Sequence, residues 1–143
     1  MIKNERQYRI TKSWAQKFSQ TLTQIEGDTE DCAPLHPLLR KAEREAAASQ
    51  LTTLQRELRE YELLRGGEKR VFQGESFEEI PRALIQARIA MGLSQKDLAG
   101  RLGMKEQQIQ RYEATEYASA SMERVGKVIR ALGLNIHGEV FLT

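Results

Sequence analysis

The chain has 143 residues, of which 40% are hydrophobic and 29% are charged, and its formal net charge is +2. That composition is typical of a soluble globular protein, and no apolar run approaches the ~20 residues needed to cross a bilayer. The opening sequence MIKNERQYRI lacks the apolar core of a secretion signal, and a single cysteine, Cys32, excludes an internal disulfide. We therefore expect a cytoplasmic protein with one domain or two small ones.

The first half of the chain predicts a helical hairpin. Residues 11–25 carry apolar side chains at helical spacing, and a longer helix should run from Pro37 or Leu38 to about Leu64. Between them, residues 26–37 combine two prolines with four acids and are typical of a connector. The two apolar stripes are expected to pack on each other: Trp14, Phe18 and Leu22 on Leu51, Leu54 and Leu58.

This hairpin should need a further apolar surface to pack against. Two helices bury little apolar surface for the number of residues that they order. That surface would come from the second half of the chain, from a second copy or from a different protein. The alternative is that the two stripes meet another chain instead of each other.

A linker is expected at residues 68–75, and the residues that follow it predict the start of a helix. Ser76 and Glu79 have the spacing of a capping box, and a helix should then run from Phe77 to about Met91. Pro81 is tolerated near the start of this helix, because its missing amide costs little there.

Residues 94–112, SQKDLAGRLGMKEQQIQRY, predict two short helices joined at a glycine corner. Ser94 and Asp97 are suited to cap the first helix, and glycine at position 103 is suited to end it in a left-handed conformation. The second helix should run from about Lys105 to Tyr112, with Ile109 facing back onto the first. This arrangement is a helix-turn-helix.

The outward face of the second helix is rich in amide and guanidinium groups. On a helical wheel centred on Ile109, Gln107, Arg111 and Ala114 point away and Gln110 lies at the side. Glutamine can bond adenine N6 and N7 together, arginine can bond guanine O6 and N7, and the leading end of such a helix lies deepest in the groove. We expect base contacts from five residues: Lys105, Glu106, Gln107, Gln110 and Arg111. The alternative is an ordinary helical hairpin with a solvated polar face.

Residues 81–134 resemble the XRE family of phage Cro and repressor-like DNA-binding domains. The family pattern Q-x-x-L-A-x-x-L-G-x-x-x-x-x-I-x-x-Y-E is matched by eight residues: Gln95, Leu98, Ala99, Leu102, Gly103, Ile109, Tyr112 and Glu113. The resemblance implies an all-α domain of the five-helix type, in which Gln95 serves the DNA backbone and the early residues of the second helix serve the bases. The expected backbone contacts are Ser94, Gln95, Lys96 and, in the following loop, Tyr117. Where the family often caps its recognition helix with Ser or Thr, this chain has Met104 and Lys105.

The end of the sequence predicts a helix and then a strand. The helix should start at Ser121 and end at Gly133, and the last stretch, NIHGEVFLT, alternates apolar residues as a β-strand does. A lone strand cannot satisfy its own backbone, so it should pair either near Val71 and Phe72 or with the same segment of a second copy. We favour the homodimer, because helix-turn-helix proteins commonly bind two half-sites about 34 Å apart.

Positive charge is local in this sequence. Residues 82–130 contain nine basic and five acidic side chains, although the whole chain is nearly neutral. Bulk charge therefore cannot carry DNA binding, and affinity should depend on two copies bound together on an operator palindrome.

The first half shows a second, shorter resemblance. The run NERQY, the proline-interrupted acidic connector and the run ELREYELLRGG resemble the N-terminal helical segment of HigA-type antitoxins, in which such a segment precedes an XRE domain. Antitoxins of that family neutralise a toxin, commonly a RelE-like ribonuclease, and repress their own operon. The resemblance implies toxin binding through the N-terminal half.

No other chemistry is indicated. Cys32, His36 and His137 fall short of a four-ligand metal site, and no catalytic or phosphate-binding signature is apparent, so we expect neither cofactor nor enzymatic activity. The sequence predicts an all-α fold in three parts: a helical hairpin at 1–67, a linker at 68–75, and a helix-turn-helix domain with a short C-terminal β-strand at 76–143. Three functions stay open: an antitoxin and autorepressor, a stand-alone transcriptional regulator, and an interaction module in which the helix-turn-helix is only a scaffold.

Overall fold

The computed structural model describes residues 1–27 and 37–143, and these contain six α-helices and no strand, which confirms the all-α class. The helices are α1 Glu5–Gly27, α2 Pro37–Arg65, α3 Ile80–Ala90, α4 Gln95–Leu102, α5 Glu106–Ala114 and α6 Met122–Ala131, with a 3₁₀ turn, Phe77–Glu79, before α3. None of these helices has the length of apolar sequence that a bilayer crossing requires. Most of the predicted acidic connector, with Cys32 and His36, lies outside the described residues.

The chain divides into two compact units, residues 1–62 and 63–143. In the first unit, α1 and α2 form the expected hairpin. The ring of Tyr8 stacks on that of Tyr61, with centroids 5.3 Å apart, and the Tyr8 hydroxyl donates to Glu62 Oε1 at 2.7 Å. The amino group of Met1 lies 3.4 Å from Glu57 Oε1. The start of α1 therefore lies beside the end of α2.

The packing face of α1 matches the predicted one only in part. Phe18 and Leu22 are half-buried, but Trp14 is 50% exposed, and the buried residues of the helix are Tyr8 and Ala15. Successive helical residues are turned by about 100°, so Trp14 faces well away from its neighbour Ala15. The stack of Tyr8 on Tyr61 sets this rotation, because a buried aromatic pair requires both rings to face the contact.

The second unit contains the remaining four α-helices. Helix α4 packs on α5 and on α6, and α6 also packs on α3. The five-helix type of domain in the prediction is therefore four α-helices and a 3₁₀ turn in this chain. The largest apolar side chains of its core have almost no exposed surface: Leu84, Ile85, Leu98, Ile109 and Val128.

The helix starts test the predicted caps. Ser94 Oγ accepts from the Asp97 amide at 3.0 Å, and Asp97 Oδ2 accepts from the Ser94 amide at 2.8 Å, which confirms that capping box. The Ser94 hydroxyl, which also donates to Asp97 Oδ2 at 2.6 Å, and the Ser94 amide hold the pKa of the Asp97 carboxyl below its ordinary value. The capping box predicted at Ser76 is wrong. There a tighter 3₁₀ turn satisfies the Glu79 amide with the Ser76 carbonyl at 3.2 Å, so the Ser76 hydroxyl makes no cap.

The predicted C-terminal strand does not form within a single chain. Residues 135–143 have no regular structure, and the segment around Val71 and Phe72 does not pair with them among the described residues. The intrachain pairing is therefore not observed. Pairing with a second copy stays a prediction.

The corner between α4 and α5 depends on Gly103. Its φ angle is +64°, a left-handed conformation that places the Met104 amide 2.9 Å from the Ala99 carbonyl and the Gly103 amide 3.3 Å from the Gly100 carbonyl. This pair of hydrogen bonds is a Schellman motif, which closes the end of a helix and turns the chain.

Replacing Gly103 with alanine should lower the free energy of unfolding by about 1 to 2 kcal/mol, the cost of a left-handed conformation in a residue with a Cβ. No atom lies within 4 Å of the added methyl group, so the effect comes from the backbone alone. The matched control is Gly100→Ala, three residues earlier inside α4 and equally open, which should instead stabilise the protein by about 0.5 to 1 kcal/mol. Urea denaturation of both variants measures the two changes in the free energy of unfolding. If both variants change it by the same amount in the same direction, Gly103 has no special role at the corner.

Candidate nucleic-acid interface

Helix α5 presents an exposed polar face opposite its buried side. Ile109 and Glu113 are fully buried and Tyr112 is partly buried, while the five predicted base-contacting residues are exposed: Lys105, Glu106, Gln107, Gln110 and Arg111. The Gln110 amide donates to Glu106 Oε1 at 3.1 Å across one turn. All five side chains are therefore accessible on α5 or at its leading end, and their contact with bases stays a prediction.

The start of α5 is capped from inside the helix. Gln108 Oε1 accepts from the amide of Lys105 at 3.1 Å, and Lys105 has the extended conformation of an N-cap residue. Helix α5 therefore begins at Glu106. Lysine at position 105 has no side-chain acceptor for the first-turn amides, which explains why the position looks uncapped in the sequence.

A buried polar network holds the inner face of α5. Both oxygens of the Glu113 carboxylate are bonded by Arg88, with Nε to Oε1 at 2.6 Å and Nη2 to Oε2 at 2.8 Å. Gln95 donates a third hydrogen bond to Oε2 at 2.8 Å. The remaining arm of Arg88, Nη1, donates to the carbonyl oxygen of Leu93 at 2.7 Å. One carboxylate thus joins α3, α4 and α5.

The sequence reasoning missed this network. Glu113 lies four residues after Ile109, which places it on the inward side of the helix, and Arg88 stands within an apolar run, IQARIA. A charged residue on a buried helical face usually has a partner of opposite charge, so these two positions were the available signal.

Gln95 and Tyr117, two of the four predicted DNA-backbone contacts, are not placed for that role. Gln95 is 4% exposed because its amide is turned inward to Glu113, and Tyr117 is 3% exposed because its ring lies against Tyr112. Such side chains have almost no surface to offer a phosphate, so we remove both from the expected contacts. Ser94 and Lys96 are exposed at the start of α4 and remain.

The loop after α5 is held in a strained conformation. Glu116 and Tyr117 have φ angles of +49° and +59°, although neither is glycine. This backbone brings the ring of Tyr117 parallel to that of Tyr112, with centroids 6.1 Å apart. The Tyr117 hydroxyl is buried without a hydrogen-bond partner among the described residues, and burial, reinforced by the nearby Glu113 carboxylate, raises its pKa.

Helix α6 makes side-chain contacts with the helix-turn-helix. Arg124 Nη1 lies 3.2 Å from the sulfur of Met104, in the turn that precedes α5, and Arg101 Nη1 donates to the carbonyl oxygen of Ala131 at 3.0 Å. The start of α6 thus contacts the turn that precedes α5, and its end contacts α4. Within the described ranges, 1–27 and 37–143, no group of acidic, histidine or cysteine side chains has the arrangement of a metal site.

Replacing Glu113 with glutamine should lower the free energy of unfolding by about 3 to 5 kcal/mol, because the guanidinium of Arg88 then stays buried without its counter-charge. The matched control is Glu106→Gln on the exposed face of the same helix, which should change stability by less than about 0.5 kcal/mol. Urea denaturation measures both.

A double replacement, Arg88→Met with Glu113→Leu, removes both charges and should be less destabilising than Glu113→Gln alone. Loss of stability in Glu113→Gln no larger than in Glu106→Gln would show that the network does not hold the helices.

Comparisons with known proteins support the assignment of this region. A helix-turn-helix family model matches residues 84–138, which include most of α3 and all of α4, α5 and α6 but amount to less than half of the chain. The comparisons with curated proteins and with solved structures gave no match. Residues 84–138 are therefore similar to the helix-turn-helix family.

Proposed function

We propose that this protein is a sequence-specific DNA-binding transcriptional regulator whose helix α5 enters the major groove. The observation that carries the proposal is the division of α5 into two faces. Its inner face is fixed by Ile109 and by the bonds of Glu113 to Arg88 and Gln95, and its outer face exposes amide and guanidinium groups. A rigidly held helix with such a surface is suited to read base edges.

The proposed division of labour follows from the position of each side chain. Gln107, Gln110 and Arg111 lie on the exposed face of α5, and Lys105 and Glu106 lie at its leading end. Glutamine and arginine form bidentate hydrogen bonds with adenine and guanine, and a carboxylate accepts from cytosine N4. Contacts with the DNA backbone are proposed from two residues near the start of α4: Ser94 and Lys96.

The regulator is proposed to act as a homodimer on an operator palindrome. The net charge of +2 offers little general attraction to DNA, so two domains bound side by side would supply the affinity that one lacks. Two copies related by a two-fold axis fit two half-sites about 34 Å apart.

The finer proposal is that the protein is the cytoplasmic antitoxin and autorepressor of a toxin–antitoxin operon, with a RelE-like ribonuclease as its toxin. The resemblance of the first half to HigA-type antitoxins supports it. So do exposed apolar side chains in the first unit, because Ile10 and Trp14 on α1 and Leu39 on α2 are about half exposed and open to a partner. The alternative is a stand-alone regulator, which is favoured by the contacts that Tyr8 makes within the hairpin itself.

Arg111→Ala should weaken binding to the preferred operator by about 1 to 3 kcal/mol and relax the preference at one base position. Lys96→Ala is the matched control, since loss of a backbone contact should weaken binding to all sequences alike. Gel-shift titrations with DNA from upstream of the gene and with random duplex measure both. Equal losses of Arg111→Ala on specific and random DNA would refute its base-reading role.

Co-expression with the adjoining gene should yield a complex in which mRNA cleavage by the neighbouring product is inhibited. Trp14→Ala should weaken that complex and leave DNA binding unchanged, whereas Gln20→Ala, at another exposed position of α1, should alter neither. Pull-down and RNA-cleavage assays measure the result. If the product of the adjoining gene does not bind this protein and does not cleave RNA, the function is that of a stand-alone regulator.

A further inference from the structure

The segment 135–143 exposes large apolar side chains and an open backbone. Val140 and Leu142 are fully exposed, and Ile136 and Phe141 are half to three-quarters exposed. No group in the described part of the chain bonds to the backbone of residues 135–143. An extended apolar strand with unpaired amides and carbonyls is a template for pairing with another strand.

We propose that this segment pairs antiparallel with the same segment of a second copy, in the register centred on Gly138. The inference rests on the proposed homodimer, and it adds the surface that forms the dimer and the residues that face each other across it. The argument uses the symmetry of the pair and the charges along the strand.

Two-fold symmetry limits the possible registers. When a two-fold axis runs perpendicular to a two-stranded sheet, equivalent side chains lie on the same face in both strands. Residues directly opposite each other also share a face, so they must be an even number of positions apart in the sequence. One residue therefore lies opposite its own copy, and the axis passes midway between the two.

The register centred on Gly138 matches three of its four flanking pairs. His137 lies opposite Glu139 of the second copy, Ile136 lies opposite Val140, and Leu134 lies opposite Leu142, whereas Asn135 lies opposite Phe141. Imidazole–carboxylate and apolar pairs directly across an antiparallel ladder are stabilising. The apolar members share one face of the sheet, and the imidazole–carboxylate pairs lie on the other.

Neighbouring registers lose these matches. Centring on Glu139 brings two carboxylates directly opposite each other, which is destabilising. Centring on His137 places Ile136 opposite Gly138, and centring on Val140 places Glu139 opposite Phe141. Charge and apolar matching together therefore favour a second copy of the same segment in the register centred on Gly138.

Disulfide trapping tests the register in the full chain. In a Cys32→Ser background, single cysteines are introduced in turn at positions 136 to 140, and dimers formed under mild oxidation are measured on non-reducing gels. A Cβ at Gly138 meets no atom within 4 Å, so cysteine fits there. In the proposed register Gly138→Cys places two Cα atoms about 4.5 to 5.5 Å apart, within disulfide range. Val140→Cys is the matched control, because its two copies are offset by about 13 Å.

The expected result is trapping at least about tenfold faster for Gly138→Cys than for the four other variants. Fastest trapping at another position would overturn the register. A wild-type dimer in sedimentation equilibrium without trapping at any position would overturn the strand pairing and leave the proposed homodimer standing. A wild-type monomer would overturn both.

A charge exchange tests the pairing without relying on cysteine. Glu139→Lys should weaken dimerisation by about fivefold, because it removes both imidazole–carboxylate pairs. The double variant His137→Glu with Glu139→Lys places opposite charges across the axis again and should restore the wild-type dissociation constant, measured by sedimentation equilibrium in the absence of DNA. A double variant as weak as the single one would contradict the pairing of these two positions.

Discussion

The helix-turn-helix region of this chain depends on one carboxylate with no exposed surface. Glu113, on α5, accepts hydrogen bonds from Arg88 on α3 and Gln95 on α4. A buried ion pair adds little net stability, because desolvation offsets most of the attraction between the charges. Separation of the pair, however, would leave a charge in the interior. The network therefore penalises any packing of the three helices other than this one, and fixes the direction in which α5 faces outward.

The same helix is held at both ends by different means. The glycine corner and the Met104 turn set where α5 begins, and the left-handed backbone at Glu116 and Tyr117 folds an aromatic ring back onto Tyr112 at its end. Hydrogen bonds to base edges require donors and acceptors within a few tenths of an ångström of their positions. A helix fixed along its length, with flexible amide and guanidinium groups only on its outer face, meets that requirement.

Local features of this fold are predictable from the sequence, and features that depend on distant partners are not. The cap at Ser94, the corner at Gly103 and the outward face of α5 follow from spacing within a few residues. The role of Gln95 does not, because its partner Glu113 lies 18 residues away and an amide near a helix start resembles a DNA contact equally well. Similarly, the exposure of Trp14 does not follow from the sequence, because Trp14 and Ala15 belong to neighbouring stripes of α1. The stack of Tyr8 on Tyr61 of α2 determines that the stripe with Ala15 faces the contact.

The most direct test of the division between an inner and an outer face of α5 is a nuclear magnetic resonance titration of the protein with duplex DNA from upstream of its gene. The side-chain signals of Gln107, Gln110 and Arg111 should shift as specific duplex is added, while the side-chain amide of Gln95 and the Nε–H of Arg88 keep their positions. Shifts confined to other surfaces, with the outer face of α5 unaffected, would contradict the proposed reading of DNA by this helix.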